Sequence, residues 1–303
     1  MNLGYACINM ELNARKGDDR VTTNRTMIKR TFQEKGVDYT SELVLQNVAD
    51  LYSIIEWNEQ NNIKFFRLSS EMFPWASEYY QDWDNFPNIE KIKSILQDCG
   101  NLATKYGHRI TSHPGPFNVL VSPNENVVQN TITDLTIHAD IFDFMGLSRT
   151  PYNKLNIHCN GVYGDKESAM DRFCTNFERL PESVQTRLTV ENDDKATMYS
   201  VKDLYEGIHK RIGIPIVFDY HHYKFNTGGQ TEQEALELAL STWGDIKPVV
   251  HYSESKAEHE LNESIRPQAH SDLIKELPNT YGNDVDIMVE AKHKELAIEG
   301  FIK

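Results

Sequence analysis

The chain has 303 residues, 39% hydrophobic and 10% aromatic, enough for a sizeable core and for a (β/α)8 barrel of roughly 250 residues with long loops added. Its formal charge of −14, from 45 acids against 31 Lys and Arg, excludes a surface that is basic throughout. No apolar run is long enough to span a membrane, and no charged segment leads into an apolar stretch at the N-terminus, so neither a membrane partner nor secretion is expected. Cys7, Cys99, Cys159 and Cys174 show no CxxC spacing. They read as reduced thiols of a cytoplasmic protein, or a nuclear one in a eukaryote.

In chain order, Leu3 to Asn9 reads as a first strand, followed by a polar loop from about Met10 to Thr40. A helix opens at Ser41 and runs to about Asn61, with Leu43, Val44, Val48, Leu51 and Ile55 at helical spacing. Lys64 to Leu68 is the second strand, and Ser69 to Pro87 a loop rich in aromatics. Asn88 to Tyr106 is a helix closed by Gly107. The third strand ends at His113, with a helix from about Asn124 to Met145. The fourth ends at His158, with a helix from Asp165 to Leu180 stopped by Pro181. The fifth ends at Glu191, followed by a helix over Ser200 to Arg211. The sixth, Ile214 to Phe218, runs into Asp219-Tyr220-His221-His222, with a helix from Thr231 to Trp243. The seventh ends at His251, and a long loop leads to His270, where a short helix is expected. The eighth ends at Glu290, and Lys292 to Phe301 closes with a helix.

Eight strand–helix alternations predict one parallel closed barrel, a single domain over residues 1–303. No Gly-rich phosphate loop follows the first strand, which argues against a doubly wound open sheet. Six strands deliver a ligand-type residue at the C-terminal end, where the active sites of such barrels lie. The candidate metal ligands are His113, His158, Glu191, Asp219, His222, His251, His270 and Glu290. Oxygen and imidazole donors together suit hard and borderline divalent ions. Glu191, in the middle of the series, is the candidate bridge between two ions, an arrangement that serves phosphoryl displacement. His221 is expected to face away from its neighbours, leaving His222 as the ligand. His108, His138, His209, His259 and His293 read as ordinary structural histidines. Arg15 to Lys35 carries seven basic and three acidic residues, a local positive surplus in an acidic chain. No GxSxG elbow supports serine catalysis.

Taken together, the motifs resemble those of the UV damage endonucleases, barrel relatives of endonuclease IV. The matching pieces are Leu3 to Asn9, Arg67-Leu68-Ser69-Ser70 with Pro74, His113-Pro114-Gly115, His158 with Tyr163 to Lys166, and Val190 to Asp193. Asp219 to His222, His251-Tyr252-Ser253 and Glu290 to Glu295 complete the series. The resemblance covers nearly the whole chain in order. It implies a (β/α)8 TIM barrel and an enzyme that cuts double-stranded DNA immediately 5′ of pyrimidine dimers and 6-4 products, with abasic sites as a further substrate. Cleavage leaves a 3′-hydroxyl and a 5′-phosphate.

The implied cofactor is a cluster of two or three divalent ions, manganese above magnesium or zinc, in a monomeric protein. His113, His158 and Glu191 would hold one ion, Glu191, Asp219, His251 and Glu290 a second, and His222 with His270 a third. Glu191, His251 and Glu290 form the expected catalytic set. Tyr5, Asn9, Pro116, Phe117 and Lys247 are the expected DNA- and lesion-binding residues.

This chain departs from the family pattern in three places. Pro116-Phe117 stands where the family usually has Gln-Tyr. Val249 stands where it commonly has Lys, with Lys247 two residues earlier. The Tyr252–His270 loop is long. The rival readings are a metal-dependent sugar isomerase or epimerase of the xylose isomerase type, an abasic-site endonuclease of the endonuclease IV type, and a non-catalytic damage binder.

Overall fold

A computed structural model describes residues 1–302, apart from the side chain of Asp18. Eight strands are parallel and close in chain order: β1 Leu3–Ala6, β2 Phe65–Leu68, β3 Arg109–Ser112, β4 Leu155–Ile157, β5 Leu188–Glu191, β6 Ile216–Asp219, β7 Val249–Tyr252 and β8 Asp286–Val289. Gly4 on β1 lies opposite both Phe65 on β2 and Met288 on β8, which shuts the ring. A Cβ at Gly4 would fall 2.6 Å from the Phe65 ring, so the closure needs a residue without a side chain. The expected TIM barrel is the fold.

The period of two along each strand divides its side chains between two cores. Phe66, Ile110, Leu155, Val190, Phe218, Val250 and Ile287 belong to the large core shared with the helices. Ala6, Phe65, Val217, Trp243, Val249 and Met288 form a second, smaller apolar cluster. Five of these lie on paired neighbouring strands, from β6 through β8 to β2, so this cluster fills the barrel. Arg109 and Asp286, both buried, pair at 3.2 Å at the starts of β3 and β8. The Asp286 carboxylate also meets Lys247 Nζ at 3.2 Å and accepts the Asn2 N–H at 2.8 Å.

Most helices begin where their caps predict. Asn124 and Asp165 accept backbone N–H groups of the Glu125–Phe144 and Lys166–Phe177 helices. Ser200 and Thr231 form capping boxes with Asp203 and Glu234. Gly107 closes the Ile89–Tyr106 helix at φ 69°.

Four expectations are corrected. The Met10–Thr40 segment is not all loop: Met10–Asn13 is helical, and the next helix starts at Lys29 and runs to Gln60, broken at Gly36 (φ 67°, ψ −162°). The first turns of that helix are polar and solvated, and their anchor is Phe32, stacked on Trp75 at 5.6 Å, a contact without a sequence period. No helix begins at His270: the residue forms an isolated antiparallel bridge with Ser255, and the short helix of that loop is Lys256–Glu260. The expected terminal helix is two 3-10 turns, Lys294–Ala297 and Glu299–Phe301, with Lys294 at φ 55° interrupting a regular α-helix. β1 stops at Ala6, because Cys7 takes φ 72°.

Removing one partner of the Arg109–Asp286 pair strands a buried charge. Asp286→Ala should therefore lower unfolding free energy by about 3–5 kcal/mol in urea. A loss within the roughly 0–1 kcal/mol of exposed pairs would show that Lys247 and solvent compensate.

Candidate metal centre and nucleic-acid face

Seven of the eight proposed ligands meet at the C-terminal mouth of the barrel, around Glu191 at the end of β5. Glu191 Oε2 lies 3.2 Å from His113 Nε2, 3.8 Å from His158 Nε2 and 3.0 Å from His251 Nδ1. His222 Nδ1 lies 3.5 Å from the other carboxylate oxygen. Glu290 Oε1 sits 3.2 Å from His251 Nδ1 and is held by the Arg67 guanidinium. The His113 ring stands 5.4 Å from His158 and 5.9 Å from His251.

Among the described residues, two donor sets have all atoms within 4.8 Å of one another: His113, His158 and Glu191, then Glu191, Asp219 and His251. Glu191 belongs to both. His270 does not join either. Its ring is 5.1 Å from His221 and 6.4 Å from His222, on the loop rim.

The choice between the adjacent histidines follows from one cap. Asp219 Oδ1 accepts the His222 N–H at 2.7 Å and starts a short helical turn. That turn sends His222 to the mouth, while His221 is buried beneath it with Nε2 3.0 Å from the Gln268 carbonyl. Asn192 clamps the same corner. Its amide donates to the Asp219 carbonyl at 3.0 Å and its oxygen accepts the Asp219 N–H at 2.9 Å. Its own carbonyl lies 2.9 Å from His222 Nδ1.

The donor set fits divalent ions. Glu191 Oε1, Asp219 Oδ2, His251 Nδ1 and His270 Nδ1 are buried without a hydrogen-bond partner. A folded chain rarely leaves such atoms unmatched unless another group takes them. Burial opposes the charge on Glu191, yet His251 and His158 beside it hold the carboxyl well below the usual range. Burial pushes Asp219 up to about 6, with His222 opposing. Burial lowers His113 to about 4, leaving an uncharged imidazole at neutral pH. Burial also works against His158, but Glu191 and Asp193 raise it to about 10.

Three residues outside the proposed set complete the centre. Arg67 holds Glu290, Asn156 donates to Glu191, and Lys154 Nζ lies 3.1 Å from His251 Nε2. Burial pushes the Lys154 amine down to about 7. Lys154, Asn156 and His158 share the inward face of β4, so polar residues two and four places before a ligand were the available signal.

The expected DNA-contacting residues separate. Phe117 is 88% exposed beside exposed Pro116, at the tip of the loop after β3. A cavity of about 740 Å³ adjoins it, lined among others by Glu71, Tyr80, Asn118, Asn130 and Asp134. Tyr5 and Asn9 are enclosed: Tyr5 donates to Asn58 at 2.8 Å and accepts from Asn9 at 3.0 Å, and Asn9 caps the Met10–Asn13 helix. Lys247 lies at the opposite end of the barrel, paired with Asp284 and Asp286. Val249 is buried in the interior apolar cluster. In the basic segment, Arg25 is tied to Asp50 at 2.6 Å, while Lys16, Arg20, Lys29 and Lys35 remain exposed.

The family model described as UV-endonuclease UvdE matches residues 1–303. The chain belongs to this family. A UV-damage endonuclease of Schizosaccharomyces pombe is 38% identical over 98% of the chain. The chain spans 49% of that relative's length. The crystal structure titled SacUVDE superposes with a TM-score of 0.84 at 31% identity, covering 100% of this chain and 96% of that one. A D-tagatose 3-epimerase-like protein, at 15% identity and TM-score 0.55 over 81% of this chain and 88% of its own, shares the fold alone.

Asn192→Ala leaves the buried Asp219 N–H without its acceptor, so the variant should lose about 1–3 kcal/mol of stability. Thermal melting of the metal-free protein checks this. An unchanged melting temperature would remove Asn192 from the support of the Asp219–His222 corner.

Proposed function

We propose that this chain is a metal-dependent DNA repair endonuclease that nicks duplex DNA immediately 5′ of UV photoproducts. One observation carries the reading: a single buried carboxylate, Glu191, is shared by two donor sets at the mouth of a barrel of the UV-endonuclease family. His113, His158 and Glu191 are the proposed ligands of one ion, and Glu191, Asp219, His251 and Glu290 those of a second. His222 and His270 are the proposed ligands of a third. Divalent ions, when bound by these residues, would supply charge to the scissile phosphodiester and acidify a water for attack, a reaction whose products are a 3′-hydroxyl and a 5′-phosphate. Manganese is the proposed metal.

The chain's own residues do the rest. Glu191 stays ionised at neutral pH and His113 uncharged, the forms that ligate, while an ion in the same set would displace the proton that Glu191 and Asp193 keep on His158. Arg67 fixes Glu290. Phe117 stands free of the surface and can enter an interrupted base stack, since stacking needs only a π-face. Damaged bases are cheaper to unstack, which makes a protruding ring a probe for them. The exposed cations of the first loop can hold phosphates without reading sequence, although the chain is acidic overall.

The direct test is a duplex with one pyrimidine dimer, incubated with Mn2+ beside undamaged, abasic and ketose controls. The reading predicts a nick directly 5′ of the dimer that chelator abolishes. Epimerised ketose with intact DNA would transfer the site to the sugar chemistry of its fold neighbours. Glu191→Gln should remove cleavage by more than the roughly 10–100-fold that outer-shell changes cost, with circular dichroism unchanged. Full turnover would take Glu191 out of the centre. Phe117→Ala should weaken damaged-duplex binding by about 1–3 kcal/mol while Mn2+ binding stays as in wild type. Equal discrimination in the variant would assign Phe117 no role on the lesion.

A further inference from the structure

We propose that Lys294 is a substrate-binding residue whose ammonium takes a DNA backbone phosphate beside the metal centre. The inference rests on the reading of the chain as an endonuclease. Lys294 opens the 3-10 turn that follows β8, and this turn packs on β1. Its backbone sits at φ 55°, a region that a long side chain occupies only at a cost. Glycine would hold the same turn without that cost. Such strain persists where the surroundings over-determine it. Here the Lys292 and His293 N–H groups donate to the Ser271 and Asp272 carbonyls at 2.9 Å, and the buried Glu295 carboxylate accepts the Glu11 N–H at 2.8 Å. The place calls for a side chain and not only for a turn.

The ammonium is unmatched where its counterparts are matched. Lys64, Lys93, Lys166, Lys247 and Lys256 are half-buried, and each lies within 4.0 Å of a carboxylate oxygen. Lys294 is half-buried too, yet among the described residues no carboxylate oxygen comes within that distance. The ionisable groups that act on it are Cys7, Arg67, Glu290 and Lys292, and the one acid of these, Glu290, is already held by Arg67. Burial opposes the charge on the amine, and a phosphate arriving from solvent would favour it. Lysine suits that task as a compact point charge with three rotatable donors. Glu290 lies outside both tight donor sets, so the Lys294 corner adjoins the centre. The phosphate assigned to it is therefore a neighbour of the scissile one in the nicked strand.

The experiment measures binding of the full chain to a duplex with one pyrimidine dimer and to its undamaged counterpart, without divalent ion and across a range of salt. Wild type, K294M, K294R and K91A are compared, the last removing an exposed lysine from an outer helix. Methylphosphonate also replaces one backbone phosphate at a time around the dimer. K294M keeps the apolar stem and loses the charge. It should lower the slope of log affinity against log salt by about 1, equally on both duplexes. K294R and K91A should keep the wild-type slope. In wild type, neutralising one particular phosphate should weaken binding, and in K294M the same replacement should weaken it no further. Mn2+ affinity should stay as in wild type. KM for the dimer duplex should rise with kcat retained, as for a contact made equally before and during reaction. K294A gives the same readouts if K294M does not fold. A wild-type salt slope in K294M, or methylphosphonate losses that add in full at every position, overturns the role of Lys294. Wild-type protein that neither binds nor nicks the dimer duplex overturns the endonuclease reading instead.

Discussion

The structure depends on keeping three carboxylates and four imidazoles crowded together at one end of a barrel. Glu191 and Asp219 are almost fully enclosed, and Glu290 is nearly so. Each charge taken out of water carries a penalty of several kcal/mol unless it is paired and hydrogen-bonded. The strands meet this by surrounding every acid. Asn156 and four imidazoles face Glu191, Arg67 holds Glu290, and Asn192 closes on both sides of Asp219. Even so, ligating atoms are left over without partners. Those unmatched atoms are what a divalent ion would complete.

The barrel separates that task from stability along its axis. At the strand starts, Arg109, Asp286 and Lys247 form a closed ionic knot that also fastens the Asn2 backbone. Against it packs the apolar cluster of Phe65, Val217, Trp243, Val249 and Met288, with Phe65 paired beside Arg109 and Val249 beside Asp286. Above that the interior turns polar again at Lys154, Asn156 and Arg67, then opens at the histidines. Strain collects on the same upper side. Cys7, Trp75, Asn160 and Tyr163 all take positive φ in segments that follow β1, β2 and β4. Non-glycine residues accept that conformation at a cost, and it concentrates where loops are held in set shapes for function.

Much of this was legible in the sequence because barrel geometry turns position into place. A residue at a strand C-terminus must lie at the mouth, so His113, His158, Glu191, Asp219, His251 and Glu290 were readable without a structure. His222 over His221 was expected from strand alternation, but the structure brings it about through the helical turn that Asp219 caps, which alternation does not foresee. What escaped depends on contacts that have no period. Lys154 looks like an ordinary polar strand start until β7 brings His251 over it. Lys247 looks like a replacement for a missing interior lysine, yet it begins its strand and meets Asp286 below. Tyr5 and Asn9 sit in a site-like motif but turn inward, because Asn58 from the Lys29–Gln60 helix takes the phenol. The Lys29–Lys35 turns were hidden by their polarity, and their stacking partner Trp75 is distant in sequence.

The central claim is that Glu191 joins two ions in one centre. Crystals soaked in Mn2+ and measured for anomalous scattering test it most directly. The account predicts separate peaks in the His113–His158–Glu191 and Glu191–Asp219–His251 sets, with Glu191 touching both. A single peak that leaves Glu191 aside, or strong peaks only at surface acids, would contradict it.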